Sequence, residues 1–249
     1  MSELWTENPL LAAVYDVECD GREDHDFYLS IAAATDARSV VDLGCGTGVF
    51  AVDLARRGPE VIGLDPAAAM LDIARRRDGS KTVRWILGEA ADVLSGVADL
   101  AIMMGHVAQY FVSEQAWSAA LSQLHRILSP GGSLAFEVRN PAIDWAGRWT
   151  REATTATLPH PDGGAFTSWV EVIEVVGSVH SYTMTHEGHT TLPDGRHLAA
   201  PETLRFRSAD EIRDTLSEAG FGIEDSWGDW DRSPAGPTQP ELIVLATRR

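Results

Sequence analysis

The sequence predicts an α/β fold built on a doubly wound, mostly parallel sheet. Short apolar strand patterns alternate with segments of helical spacing between residues 39 and 139. A glycine-rich loop joins the first strand to the first of these helices, and the alternation stops after Pro141. We therefore expect a parallel sheet with helices on both faces, followed by a segment of a different kind.

The strand patterns, in order, are SVVDL, PEVIGLD, TVRWIL, VADLAIMM and SLAFEVR. Helical patterns separate most of them, and Ser113 is placed to cap the helix that precedes the fifth strand. Later in the chain, Ser208 and Glu211 predict a capping box at the start of another helix. FGIEDSW and ELIVLATRR then complete a seven-stranded sheet as an antiparallel pair.

Two further regions flank this pattern. Residues 1–36 carry apolar residues at helical spacing, which predicts an N-terminal helical cap. Residues 142–207 lack that spacing and contain a Pro-Asp-Gly turn at 193–195, which predicts an antiparallel strand insertion after the fifth strand. The sheet domain is then formed by residues 37–141 together with residues 208–249.

Composition limits the classes of partner. The chain has 249 residues, a net charge of −17 and two cysteines. The negative charge argues against nucleic acid and anionic membranes as partners, and the few cysteines suggest a reducing cytoplasm. We expect a monomer or homodimer. The histidines of H-E-G-H at 186–189 are three residues apart, whereas a helical zinc motif needs four, so we expect no metal.

The glycine loop is the strongest functional signal. Gly44, Gly46 and Gly48 lie between a strand and a helix, where the absence of Cβ atoms lets the backbone approach a ligand. Asp65 ends the second strand, where a carboxylate can accept hydrogen bonds from ribose hydroxyls. A dinucleotide loop would have glycine at position 49, which is Val49, and no lysine completes a P-loop. The loop therefore suits a nucleoside that lacks a pyrophosphate.

D-L-G-C-G-T-G with an acidic strand end resembles the class I S-adenosylmethionine-dependent methyltransferases, which have a Rossmann-like fold. The resemblance covers most of residues 38–140 and resumes at 203–248. It implies S-adenosyl-L-methionine as cofactor and a small-molecule acceptor, and the overall pattern is similar to the bacterial enzymes of sugar and natural-product metabolism. The loop residues it places at the methionine part are Asp42, Gly44, Cys45 and Gly46, with Asp65 on the ribose. The other residues expected around the cofactor are Tyr15, Tyr28, Pro66, Met70, Glu89, Ala90 and Gly105.

His106 follows the fourth strand and is the candidate catalytic residue, because an imidazole with a pKa near ~6.5 suits a general base. Transfer by in-line displacement otherwise needs mainly positioning. The candidate acceptor-binding residues are Gln109, Tyr110, Arg139 and Trp230, with Glu137 and Asn140 beside them. Two alternatives stay open: a non-catalytic protein that binds the same cofactor and, less favoured by the glycine spacing, a nicotinamide-dependent oxidoreductase.

Overall fold

A computed structural model describes residues 5–21 and 23–249, with the side chain of Trp5 excepted. The strands in this part of the chain are β1 (Ser39–Leu43), β2 (Glu60–Asp65), β3 (Val83–Leu87), β4 (Ala98–Met103), β5 (Leu128–Arg139), β6 (Ala156–Pro159), β7 (Ala165–Ser178), β8 (Ser181–Thr191), β9 (His197–Phe206), β10 (Phe221–Trp227) and β11 (Glu241–Arg248). The α-helices are α1 (Pro9–Ala12), α2 (Tyr15–Glu18), α3 (Glu23–Ala34), α4 (Val49–Ala55), α5 (Ala68–Arg76), α6 (Glu114–Ile127), α7 (Trp145–Arg148), α8 (Arg151–Thr154) and α9 (Ala209–Glu218).

The main sheet has seven strands in the order β10-β11-β5-β4-β1-β2-β3. Within the described sheet, β11 alone runs antiparallel to its neighbours β10 and β5. This confirms the predicted mostly parallel sheet and its antiparallel closing pair. The chain leaves β1 toward β2 and β3 and returns on the other side at β4. A crevice for a ligand is expected at that reversal, beyond the carboxyl ends of the strands.

Apolar side chains cover both faces of the main sheet. On one face, Phe27 of α3 and Phe50 of α4 pack against Leu100 and neighbouring strand residues. On the other face, Trp117 of α6 and Leu216 of α9 pack in a second core cluster. This two-sided burial explains why the central strands read as nearly continuous apolar runs.

Local signals set several element ends. The Ser113 hydroxyl accepts the N–H of Ala116 at 3.1 Å, and Ser208 forms its capping box with Glu211. The Pro130–Gly132 turn lies inside β5, which begins earlier than predicted, and the β4–β5 register shifts there. The short helices α7 and α8 were not predicted, because each is a single turn without a repeating apolar pattern.

The second sheet is antiparallel, in the order β6-β7-β8-β9, and lies between β5 and α9 in the chain. Side chains along β8 alternate between buried and partly exposed, so even-numbered residues form its inner face. Part of that face packs with α7 and the residue that follows it, Trp149. Phe166 packs against Val14 in the N-terminal region. Residues 1–4 and 22 of the predicted cap lie outside the described residues.

No helix of the described part of the chain combines the length and apolarity needed to cross a membrane.

Candidate functional site

The glycine loop follows β1 at the point where the strand order reverses. Gly44, Gly46 and Gly48 have φ angles of 75°, 54° and 76°, a region that glycine enters without penalty. A Cβ at Gly44 would lie 2.5 Å from Cγ2 of Val107. The loop is therefore pressed against the segment that follows β4, and a side chain at this position would force the two apart.

Asp65 lies beside this loop. One carboxylate oxygen accepts the N–H of Gly46 at 2.9 Å and the other accepts the N–H of Ala67 at 2.8 Å. Burial raises the pKa of Asp65, and the two N–H donors oppose that rise. A carboxylate has about four acceptor positions, so this side chain keeps capacity for further donors. The structure thus brings together the two features that the sequence singled out.

Asp42 is the second buried carboxylate at the loop. It is 2% exposed, and burial, followed by the neighbouring charge of Asp65, raises its pKa to about 7. Its Oδ2 atom has no hydrogen-bond partner among the described residues. A buried oxygen without a donor is costly, and such a position suits a ligand that brings one. Cys45 is partly buried between them, and burial raises the pKa of its thiol, so it is a poor nucleophile.

The residues expected around a nucleoside base lie on α5 and in the segments that follow β2 and β3. Met70 is buried against Ala12 and Ala67, with Tyr15 packed on the same cluster. Pro66 is exposed at the start of this segment, as is Glu89 after β3, whereas Ala90 is buried. Which of these side chains touches a ligand stays a prediction.

The two predicted cap tyrosines occupy different positions. Tyr15 reaches the loop: its ring carbon Cε1 would lie 3.9 Å from a Cβ at Gly46. Tyr28 is fully buried in the core, and its hydroxyl donates a hydrogen bond to Glu137. Trp230 packs beside Tyr28, with ring centroids 6.2 Å apart. Tyr28 and Trp230 therefore belong to the core cluster that α3 and α4 form on one face of the main sheet.

His106 follows Gly105 at the end of β4. Apart from its chain neighbours, a Cβ at Gly105 would meet no atom of the described residues within 4 Å, so the space beside it is open. His106 has a φ of 61°, which is uncommon for a residue with a side chain and is often found at functional sites. Glu137 holds this conformation, because its Oε1 accepts the backbone N–H of His106 at 2.5 Å.

The His106 ring contacts a carboxylate that the sequence analysis did not single out. Its Nε2 lies 2.9 Å from Oε2 of Glu241, and its Nδ1 lies 4.0 Å from Oε1 of Glu137. Burial, followed by the charge of Arg139, holds the pKa of His106 well below its usual value. Burial raises the pKa of Glu137 to about 7 and that of Glu241 to about 8. The imidazole is therefore neutral at pH 7.

Arg139 lies at the end of β5, opposite Glu241 on β11. Its Nη1 donates to Oε1 of Gln109 at 3.0 Å, which ties the strand to the segment after His106. The guanidinium group lies over the ring of Trp149, 5.0 Å from its centroid. Tyr110 lies in that same segment, and its hydroxyl donates to Glu202 of the second sheet at 3.2 Å. Gln109, Tyr110 and Arg139 are thus grouped after the ends of β4 and β5, and their contact with an acceptor stays a prediction.

Three groups were missed: Glu241, the Glu202–His186 pair and Trp149. Glu241 precedes the apolar run LIVL, and nothing local marks it as more than a strand end. His186 and His189 of the H-E-G-H sequence lie on opposite faces of β8, because neighbouring side chains of a strand alternate. Among the described residues, no group of three or more His, Cys, Asp or Glu side chains is arranged to hold a metal ion.

Comparison with known proteins agrees with this geometry. Residues 40–132 match the model of a methyltransferase domain family. The demethylmenaquinone methyltransferase of Deinococcus radiodurans is 29% identical over 199 residues, which is 79% of this chain and 76% of that protein.

Two solved structures share the fold. The CcbJ methyltransferase from Streptomyces caelestis has a TM-score of 0.76 at 20% identity, with both chains covered completely. CalS10 from Micromonospora echinaspora, an amino pentose methyltransferase solved with S-adenosylmethionine bound, has a TM-score of 0.66 at 22% identity. That match covers 92% of this chain and 93% of CalS10.

Proposed function

Since the chain is an S-adenosylmethionine-dependent methyltransferase with the class I fold, we propose that it methylates an amine nitrogen of a small-molecule acceptor. The acceptor binds between the end of β4 and the second sheet, and residues 142–207 cover it. The observation that carries the proposal is the contact of neutral His106 with Glu241, beside the buried carboxylate of Glu137.

The residues around the glycine loop fit the cofactor. Asp42 offers a buried carboxylate oxygen without a partner among the described residues, which suits the ammonium group of an amino acid. Asp65 retains acceptor positions for ribose hydroxyls. The glycine backbone admits close approach. S-Adenosylmethionine, when bound, supplies a methyl group on a sulfonium, already activated toward a nucleophile.

The charges near His106 favour an amine over a neutral acceptor. The buried or nearly buried side chains of Glu137, Glu241 and Glu202 all interact electrostatically with the guanidinium of Arg139. A cationic ammonium group entering this cluster stabilises the ionised carboxylates. CalS10, of the same fold, is an amino pentose methyltransferase, and that acceptor type agrees with an amine here.

The same residues provide a route for the proton. With an ammonium group present, Glu241 is ionised and accepts a hydrogen bond from Nε2–H of His106, which leaves Nδ1 free to accept a proton. The ammonium loses its proton to Nδ1, and the nitrogen lone pair forms the new bond to the methyl carbon. The carbon–sulfur bond breaks as the sulfur keeps the electron pair, and Glu137 stabilises the resulting imidazolium charge.

The experiment uses S-adenosylmethionine with a deuterated methyl group and two matched probes, cyclohexylamine and cyclohexanol. We expect S-adenosylhomocysteine to accumulate with the amine, with the label on nitrogen by mass spectrometry. A non-catalytic protein would release none. The His106→Asn variant should lower kcat by about 10²–10⁴-fold without changing the affinity for S-adenosylhomocysteine. Asparagine tolerates the positive φ at this position, so the loop is preserved.

The matched control is His180→Asn, because His180 is exposed in the turn between β7 and β8. This variant should leave both kcat and the affinity for S-adenosylhomocysteine unchanged. If no amine supports release of S-adenosylhomocysteine, or if His106→Asn turns over as fast as the wild type, the proposal is wrong.

A further inference from the structure

A polar pair interrupts the inner face of the second sheet. His186 on β8 and Glu202 on β9 are direct cross-strand partners, and their side chains are 9% and 11% exposed. The Nε2 atom of His186 lies 3.6 Å from Oε2 of Glu202, beyond normal hydrogen-bond distance. The other ring nitrogen, Nδ1, has no partner among the residues that the structure describes. Burying a ring nitrogen without a partner is unfavourable, so the position of His186 needs an explanation.

The neighbours of this pair on the inner face are apolar. The next cross-strand pair on this face is Met184 and Leu204. Both are buried in a cluster with Tyr182 and Phe206. An apolar pair in place of His186 and Glu202 would extend this cluster at lower cost. Packing of the second sheet therefore does not explain the two polar side chains.

Contacts connect the pair to the site after β4. The Tyr110 hydroxyl donates to Glu202 at 3.2 Å. The ring of His186 packs edge-on against Trp149, with centroids 4.9 Å apart. The guanidinium of Arg139 in turn lies over the ring of Trp149. Burial, followed by the charge of Arg139, lowers the pKa of His186 to about 4, so its ring is neutral at pH 7. A neutral imidazole offers one donor and one acceptor.

Tyr110 is 43% exposed although its hydroxyl is engaged with Glu202. An aromatic ring exposed beside buried polar groups offers an apolar surface next to a hydrogen-bonding edge. This combination suits a saturated ring that carries hydroxyl groups, because its C–H face packs on the aromatic ring while its hydroxyls reach the polar atoms.

Building on the proposed function, we propose that the acceptor is a hydroxylated amine and that Glu202 and His186 bind its hydroxyl groups. The Glu202 carboxylate accepts a hydrogen bond from one hydroxyl, and Nδ1 of His186 pairs with a neighbouring one. The two residues determine specificity and leave the chemical step to the groups around His106. Tyr110 contacts the ring between them.

The test compares three probes that differ in hydroxylation: cyclohexylamine, trans-2-aminocyclohexanol and D-glucosamine. Their binding to the protein saturated with S-adenosylhomocysteine is measured by saturation-transfer NMR, and kcat/KM is measured with S-adenosylmethionine. In the wild type we expect both affinity and kcat/KM to rise at least tenfold from cyclohexylamine to the hydroxylated probes. Glu202→Gln and His186→Leu should each reduce this preference, taken as the ratio of the hydroxylated probe to cyclohexylamine, about tenfold or more.

Two further variants make the test specific. Glu187→Gln changes a carboxylate on the outer face of β8 and should keep the full preference. His186→Asn keeps a polar atom near the position of Nδ1 and should recover part of the preference that His186→Leu loses. A wild type without preference for hydroxylated probes, or variants that retain it, would overturn the inference. Turnover of cyclohexylamine tests the proposed function separately, since this probe has no hydroxyl group.

Discussion

Replacing Asp65 by asparagine separates two roles of this side chain. The variant keeps the size and one acceptor oxygen of the carboxylate but loses the charge and the second acceptor. In the wild type, the two oxygens accept the N–H groups of Gly46 and Ala67 at 2.9 and 2.8 Å. The perturbation therefore acts both on the loop itself and on the positions left for ribose hydroxyls.

The substitution should change the free energy of unfolding less than it changes the affinity for the ligand. Leaving one backbone donor unpaired costs about 1–3 kcal/mol. Burial raises the pKa of Asp65, so removing the charge recovers part of that cost. We expect the free energy of unfolding without ligand to fall by no more than about 1–2 kcal/mol. For the hydrogen bonds from the ribose hydroxyls to the ionised carboxylate, removing the charge brings no comparable gain. Losing them should reduce the binding free energy by about 1.5–3 kcal/mol, which weakens the affinity roughly 10- to 100-fold.

The assay is calorimetric titration with S-adenosylhomocysteine, together with urea denaturation of the unliganded protein. Asp72→Asn is the matched control, because Asp72 is exposed on α5 and forms an i,i+3 pair with Arg75 at 3.7 Å. It should change neither quantity appreciably. Unchanged affinity in Asp65→Asn would refute the ribose role. A loss of stability well above 2 kcal/mol would refute the argument that the buried charge opposes its own hydrogen bonds.

Two further predictions concern stability. Gly44→Ala should lower the free energy of unfolding by about 2–4 kcal/mol in urea denaturation, because it adds both strain at φ 75° and a clash with Val107. Gly131 has a similar φ, but a Cβ there would meet no described atom within 4 Å, so Gly131→Ala should lower the free energy of unfolding by only about 1 kcal/mol. Equal losses in the two variants would contradict the proposed clash with Val107. The raised pKa of Glu241, about 8, means that the folded state holds its proton more tightly, so stability falls as pH rises from 4.5 to 8. Glu241→Gln should make the free energy of unfolding depend less on pH and should raise it at pH 8 by at most about 5 kcal/mol. The same pH dependence in wild type and variant would contradict the burial of Glu241 as the cause.

The sequence predicted the parts of the site that are local in the chain. The glycine loop and Asp65 are separated by one helix, and their spacing identifies both the turn and the strand end that faces it. The antiparallel pairing of the last two strands was predicted as well, whereas the position of β11 beside β5 was not. Where function depends on residues within one strand–loop–helix unit, the periodicity of the sequence is sufficient to locate them.

The acceptor side depends on contacts that no local pattern records. Glu241 meets His106 only because β11 inserts against β5 in a register that places Glu241 opposite Arg139. His186 and Glu202 become partners through the β8–β9 register. For Tyr28, helical spacing identified a buried helix face but not the contact of its hydroxyl with Glu137. Register and the direction of a side chain within a face are tertiary properties, which a single sequence does not specify.

The central claim is that the loop after β1 and Asp65 together hold an adenosyl amino acid. Calorimetric titration of the wild-type protein with S-adenosylhomocysteine, and separately with NAD⁺, tests it most directly. We predict saturable one-to-one binding of S-adenosylhomocysteine and no saturable heat with NAD⁺. Saturable binding of NAD⁺ alone, or of neither compound, would contradict the account.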